Sequence, residues 1–162
     1  MIFITIINLF YLFYLNSLID LNRNYSMLSD KLTGYLLIWI LCILLGINIS
    51  KVTYKLNKKY FLIALLGPMV AAIFPYKEAS GDLLSNLHEI SAYISFFVTI
   101  LMTYFNIENY KFISIKKANL LKISFSFILL ITVILFLNSN GVLGYQETLL
   151  LSGVLIINQM MS

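Results

Sequence analysis

Residues 33–50 read TGYLLIWILCILLGINIS, a run without a single charge, and residues 51–59, KVTYKLNKK, follow with four lysines. At the rise of an α-helix, eighteen residues extend about 27 Å, close to the thickness of a bilayer's hydrocarbon core. An uncharged run of that length ending on a basic loop predicts a transmembrane helix whose lysine end faces the cytoplasm.

Outward from this stretch the pattern recurs. Apolar runs at about 2–19, 60–75, 86–105, 118–137 and 146–161 flank it, joined by short polar segments. The first run has no positive leader and no small-residue cleavage site, so it reads as a retained helix rather than a signal peptide. Six spans of about 20 residues would occupy most of the 162 positions, which leaves one transmembrane domain over 1–162. The predicted fold class is therefore all-α and integral to the membrane. It is a compact bundle of six transmembrane helices, with short loops that favour an up-down order.

Composition supports the same reading. Apolar residues make up 60% of the chain and charged ones 11%, against about 25% charged in soluble domains. Such a chain cannot clothe a water-facing surface. The net charge of +4 is explained by topology rather than by nucleic acid, which is excluded as a partner. Eight of the eleven basic residues lie in or beside two loops: Lys51, Lys55, Lys58 and Lys59, then Lys111, Lys116, Lys117 and Lys122. The opposite side holds Arg23, Lys31 and Lys77. The positive-inside rule places the two lysine loops, and with six crossings both termini, in the cytoplasm. Abundant Ile, Asn, Lys, Phe and Tyr, whose codons are AT-rich, suggest a bacterial source and hence a multi-pass protein of the inner membrane. The expected partners are the lipid bilayer and a lipid ligand or membrane protein.

Polar residues inside spans are costly and usually face a bundle's interior. In the fourth run His88, Ser91, Ala92, Ser95, Thr99 and Thr103 step by three or four and share one face. Ile90, Phe97, Ile100 and Leu101 lie opposite. The stripe Ser91, Ser95, Thr99 and Thr103 reads as a packing seam, with a path for a polar solute as the alternative. Gly67-Pro68 interrupts the third run and predicts a kink, because proline removes a backbone hydrogen bond. Gly46, Gly67, Pro68 and Ala71 are the expected helix-packing positions. On the second helix Tyr35, Trp39 and Cys42 share the face of Gly46. Asn8, Asn16 and Asn158 read as interhelical amides.

The acids sort to the outer side: Asp20, Asp30, Glu78, Asp82, Glu89 and Glu147, with Glu108 alone on the inner side. The only histidine, His88, joins them. A His–carboxylate group can relay a proton, hold a metal or tie a helix end. His88, Glu89, Asp82 and Glu147 are the candidate catalytic residues, and His88 the candidate metal ligand. Neighbours on a helix point about 100° apart, so His88 and Glu89 do not readily address one point. Ser85 or Asn86 is the expected N-cap of the fourth helix. Cys42 is the only cysteine, so there is no internal disulfide and no CxxC motif, and no cofactor is expected.

Phe74-Pro75, a short polar loop, then Leu87-His88 leading into Ala92 and Phe96-Phe97 resembles a pattern in a bacterial family of six-helix membrane proteins of uncharacterised role. That family is distantly similar to the DRAM/Sfk-type membrane proteins. Gly144-Tyr145-Gln146-Glu147-Thr148 resembles the start of the same family's final helix, with Thr148 where a basic residue is usual. The resemblance covers about half the chain. It implies a six-helix fold with an outer-face site at Pro75, His88 and Glu147, and no reaction.

Three functions follow as expectations. The first is a non-enzymatic membrane protein that binds a lipid or a membrane partner, organised by the polar cluster around His88. The second is a small solute-binding or transport component. The third is an outer-face enzyme acting on a lipid or lipid carrier, with His88 as base or ligand and Asp82, Glu89 or Glu147 assisting. Against the third, no nucleophile motif and no second histidine accompany His88.

Overall fold

The structure, a computed structural model, describes residues 2–19, 25, 28, 32–75, 83–139 and 144–162. These residues are almost entirely helical. The α-helices are α1 (Ile2–Ser17), α2 (Leu32–Leu56), α3 (Phe61–Leu66), α4 (Leu83–Tyr110), α5 (Ile115–Leu137) and α6 (Gly144–Met161). Two 3₁₀ segments, Lys58–Tyr60 and Gly67–Ala72, flank α3. Of these helices α2, α4 and α5 are long and apolar enough to cross a membrane, and α1 is a shorter apolar helix.

Several helices outrun the apolar stretches in the sequence. The second extends through Lys51 and Lys55 to Leu56, and the fourth runs 83–110 rather than 86–105. Helix propensity does not require an apolar side chain, and lysine and glutamine-like chains are good helix formers. At 28 residues α4 is about 42 Å long, more than the thickness of a bilayer's hydrocarbon core. Ser85 and Asn86 consequently lie inside the first turn of α4 and not at its N-cap. The true caps are at the two basic loops. Asn57 accepts from the Lys59 amide at 3.3 Å, and Ser114 from the Lys117 amide at 3.4 Å, which lets α5 begin three residues earlier than its apolar run.

The Gly67-Pro68 interruption appears as a switch from α to 3₁₀ winding at Gly67. The loosened carbonyls of this segment are taken up by its neighbours. Ser95 of α4 donates to the Pro68 carbonyl at 3.0 Å, and the Tyr35 hydroxyl of α2 donates to the Ala72 carbonyl at 2.8 Å. A broken helix is tolerated in an apolar surround only when its carbonyls are met in this way. Two glycines bring the segment close. A Cβ at Gly46 would collide with the Leu65 carbonyl, and one at Gly67 with the Val98 side chain. Gly46 is thus the seam of α2 with α3, and Gly67 the seam with α4. Pro68 is buried and Ala71 half-buried.

The sixth helix is the centre of the bundle. Twelve of its eighteen residues are buried, and it packs on α1, α2, α4 and α5. The fifth is its opposite: only Ala118, Leu121 and Phe125 are buried, and it rests on α4 and α6. Its outward face shows Leu120, Ile123, Phe127, Leu130 and Ile134 to the surroundings, a band that suits lipid and not water. A helix enclosed by others need not be apolar, which is why α6 can bury Gln146, Glu147, Thr148 and Asn158.

Candidate functional site

The stripe on α4 faces inward along its whole length: His88, Ser91, Ser95, Thr99 and Thr103 are all buried. Hydrogen bonds account for much of it. Ser91 donates to the His88 carbonyl of its own helix at 2.8 Å, Ser95 to Pro68, and Thr103 to the Thr99 carbonyl at 2.9 Å. Towards the lysine end, Thr53 of α2 donates to Asn106 at 3.0 Å. Asn106 donates to Asn158 at 2.9 Å, and Asn158 to Thr103 at 3.1 Å. Thr53, Thr103, Asn106 and Asn158 are buried, so this is a mutually satisfied network joining α2, α4 and α6. Its place in the sequence put Asn106 in a basic loop. It is instead a core residue of α4, held in a helix that continues four residues further.

At the other end of the stripe stands His88. Its Nδ1 lies 2.6 Å from the Phe74 carbonyl, just beyond the 3₁₀ segment. A carbonyl can only accept, so Nδ1 carries the proton, and in the neutral ring Nε2 is the acceptor. His88 therefore ties the end of the broken third helix to α4, as Ser95 does one helical stage below.

Glu147 enters from α6. It sits in that helix's first turn, where the dipole favours a negative side chain, and is 6% exposed. Its Oε2 accepts the Tyr25 amide at 2.7 Å. The Tyr25 hydroxyl lies between the Leu12 carbonyl, at 3.2 Å, and the Thr148 hydroxyl. Thr148 also donates to the Gly144 carbonyl at 2.8 Å. The cluster pins Tyr25, between α1 and α2, against the start of α6. Burial pushes the Tyr25 phenol up to about 12; the Thr148 hydrogen bond opposes the rise and the Glu147 charge adds to it. Tyr25 thus remains a neutral hydroxyl over the whole physiological range.

His88, Ser95, Thr99 and Glu147 line one cavity of about 50 Å³, whose remaining wall is mostly apolar and includes Ile38, Leu41, Leu45, Phe96 and Leu151. A second space of about 290 Å³ lies on the far side of Phe96 and Glu147, between α4, α5 and α6. Phe96 and Glu147 line both.

Of the sequence candidates, the fold brings His88 and Glu147 to one cavity. Glu89 is exposed, on the face of α4 turned away from it. Asp82 lies outside the described residues. Among the described residues no three His, Cys, Asp or Glu side chains gather as a metal-ligand set. The participants that sequence reasoning did not identify are Tyr25 and Phe96. Tyr25 lies in a polar connection with no periodicity to mark it. Phe96 entered the sequence reading only within the Phe96-Phe97 pair of the resemblance, and its position between two cavities is what marks it as a site residue. No protein-family model, no curated protein and no solved structure matches this chain.

Proposed function

We propose that this chain is a six-span protein of a bacterial cytoplasmic membrane, with both termini inside. In this reading it binds a lipid or a membrane partner through the outer-face cluster around His88 and catalyses no reaction. Kinship with the six-helix family that its third, fourth and sixth helices resemble belongs to the same proposal.

The observation that carries the reading is the juxtaposition at Phe96 and Glu147 of a small cavity, where a few polar groups stand in a mostly apolar lining, with a larger groove of apolar wall. That is the form of a site for an amphiphilic molecule. Ordinary small-molecule sites enclose about 300–1,000 Å³, so a cavity of about 50 Å³ is too small for a transported solute. The His88 ring is engaged at Nδ1 in holding Phe74, and Glu89 is turned away, which weakens the acid–base reading.

The test is native mass spectrometry of the full chain released from mild detergent. A bound lipid retained by the wild type and lost in Phe96→Ala is the expected result. A wild type that emerges without lipid, and takes none up from added bilayer lipid, overturns the reading.

A further inference from the structure

The groove between α4, α5 and α6 is walled by Ile100, Leu129, Val133, Phe136 and Leu150, and its exposed wall is apolar. It adjoins α5, the helix most turned towards the surroundings, so an alkyl chain can enter it from the lipid side. At about 290 Å³ it lies at the low end of ligand-site volumes, which suits one chain and not a pair.

What lies at its inner end decides the head group. Glu147 is 6% exposed and lines both the groove and the smaller cavity that His88, Ser95 and Thr99 also line. Its Oε2 is taken by the Tyr25 amide, and among the described residues no cation pairs with it. A carboxyl buried without a counter-charge tends to keep its proton, and a paired cation is what would stabilise its charged form. The described ion pairs, Glu108 with Lys111 and Lys122, lie at the opposite end of α4. An anionic head would meet Glu147 as a like charge. Ser95 and Thr99 add hydroxyls to the cavity beyond, and its volume admits only a compact head.

We propose that groove and cavity form one site for a single-chain amphiphile with a primary ammonium head. The chain occupies the groove, and the head passes Phe96 to pair with Glu147. This rests on the lipid-binding reading above and specifies its ligand class.

The experiment uses the full chain in phosphatidylcholine nanodiscs at neutral pH, with thermal unfolding as readout. The probes are dodecylammonium, dodecanol and dodecanoate. Dodecylammonium is expected to raise the midpoint by several degrees, dodecanol less, and dodecanoate not at all. Glu147→Gln, which keeps an oxygen for the Tyr25 amide, should weaken dodecylammonium at least tenfold and leave dodecanol unchanged. Leu129→Trp, which fills the groove and spares the carboxylate, should abolish both responses. Equal stabilisation by dodecanoate and dodecylammonium overturns the ammonium assignment while leaving lipid binding intact. Equal responses in the wild type and Leu129→Trp overturn the groove. No response to any probe, together with no co-purified lipid, overturns the binding reading itself.

Discussion

His88 Nδ1 and the Phe74 carbonyl stand 2.6 Å apart, joining the second turn of α4 to the chain just past the 3₁₀ end of the third helix. With Ser95 on Pro68 and Tyr35 on Ala72, it is the third side chain that meets a main-chain carbonyl of the broken helix. The sole histidine thus has a structural task. Replacing His88 by Ala leaves the buried carbonyl without its donor. Such a loss costs about 1–3 kcal/mol, so denaturant unfolding in detergent should show a midpoint lowered by that amount. An unchanged midpoint would remove His88 from the scaffold.

Gly46 and Gly67 should differ in their tolerance of a methyl group. At Gly46 the obstacle is the Leu65 carbonyl, which is backbone; at Gly67 it is the end of the Val98 side chain, which can turn. Overpacking costs about 1–3 kcal/mol, and Gly46→Ala should lie at the upper end with Gly67→Ala well below it. Thermal unfolding of the two variants checks the order.

The Asn106–Asn158 pair links α4 to α6 in the core, 2.9 Å apart and fully buried. Asn106→Leu or Asn158→Leu alone strands the partner amide and should cost about 1–3 kcal/mol. The double variant should cost less than the two single losses added, because no stranded amide remains between them. A double-mutant cycle measures the coupling, expected at about 0.5–3 kcal/mol.

Tyr25 makes stability depend on alkaline pH. Its phenol is held up to about 12 in the folded chain, against 10.0 for the free group. The contribution is therefore whole below pH 10 and is lost as pH rises through 12, where the folded group ionises. Between those values the wild type should lose stability faster than Tyr25→Phe. Parallel curves for the two would place Tyr25 in water.

The orientation is open to direct labelling. In a Cys42→Ala background, Lys55→Cys should react with an impermeant thiol reagent only in opened cells, and Ala79→Cys in intact ones. A reporter fused after Ser162 should read cytoplasmic. Labelling of position 55 from outside reverses the topology.

How much of this was legible in the sequence varies from residue to residue. The stripe from His88 to Thr103 was visible because helical spacing puts residues three and four apart on one face, and all its polar members are buried. Gly67-Pro68 announced the break in the third helix because proline lacks an amide hydrogen. Helix ends were not visible from hydropathy, since Asn57 and Ser114 end or start helices by hydrogen bonding. Asn106 was misplaced into a loop for the same reason: a polar residue at the edge of an apolar run looks like an end until a partner such as Asn158 is brought beside it.

Local spacing and composition alone determined that the chain is helical and apolar outward, that its charges gather at the helix ends, and which face of α4 turns inward. Those are properties of a residue and its near neighbours along one helix. Only the tertiary structure decided that α6 is the centre and α5 the edge, and that Tyr25 closes on Glu147 across 122 positions. It also set Phe96 between the His88–Glu147 cavity and an apolar groove. Which helix a face meets depends on the packing of all of them at once, and no stretch of sequence carries that by itself.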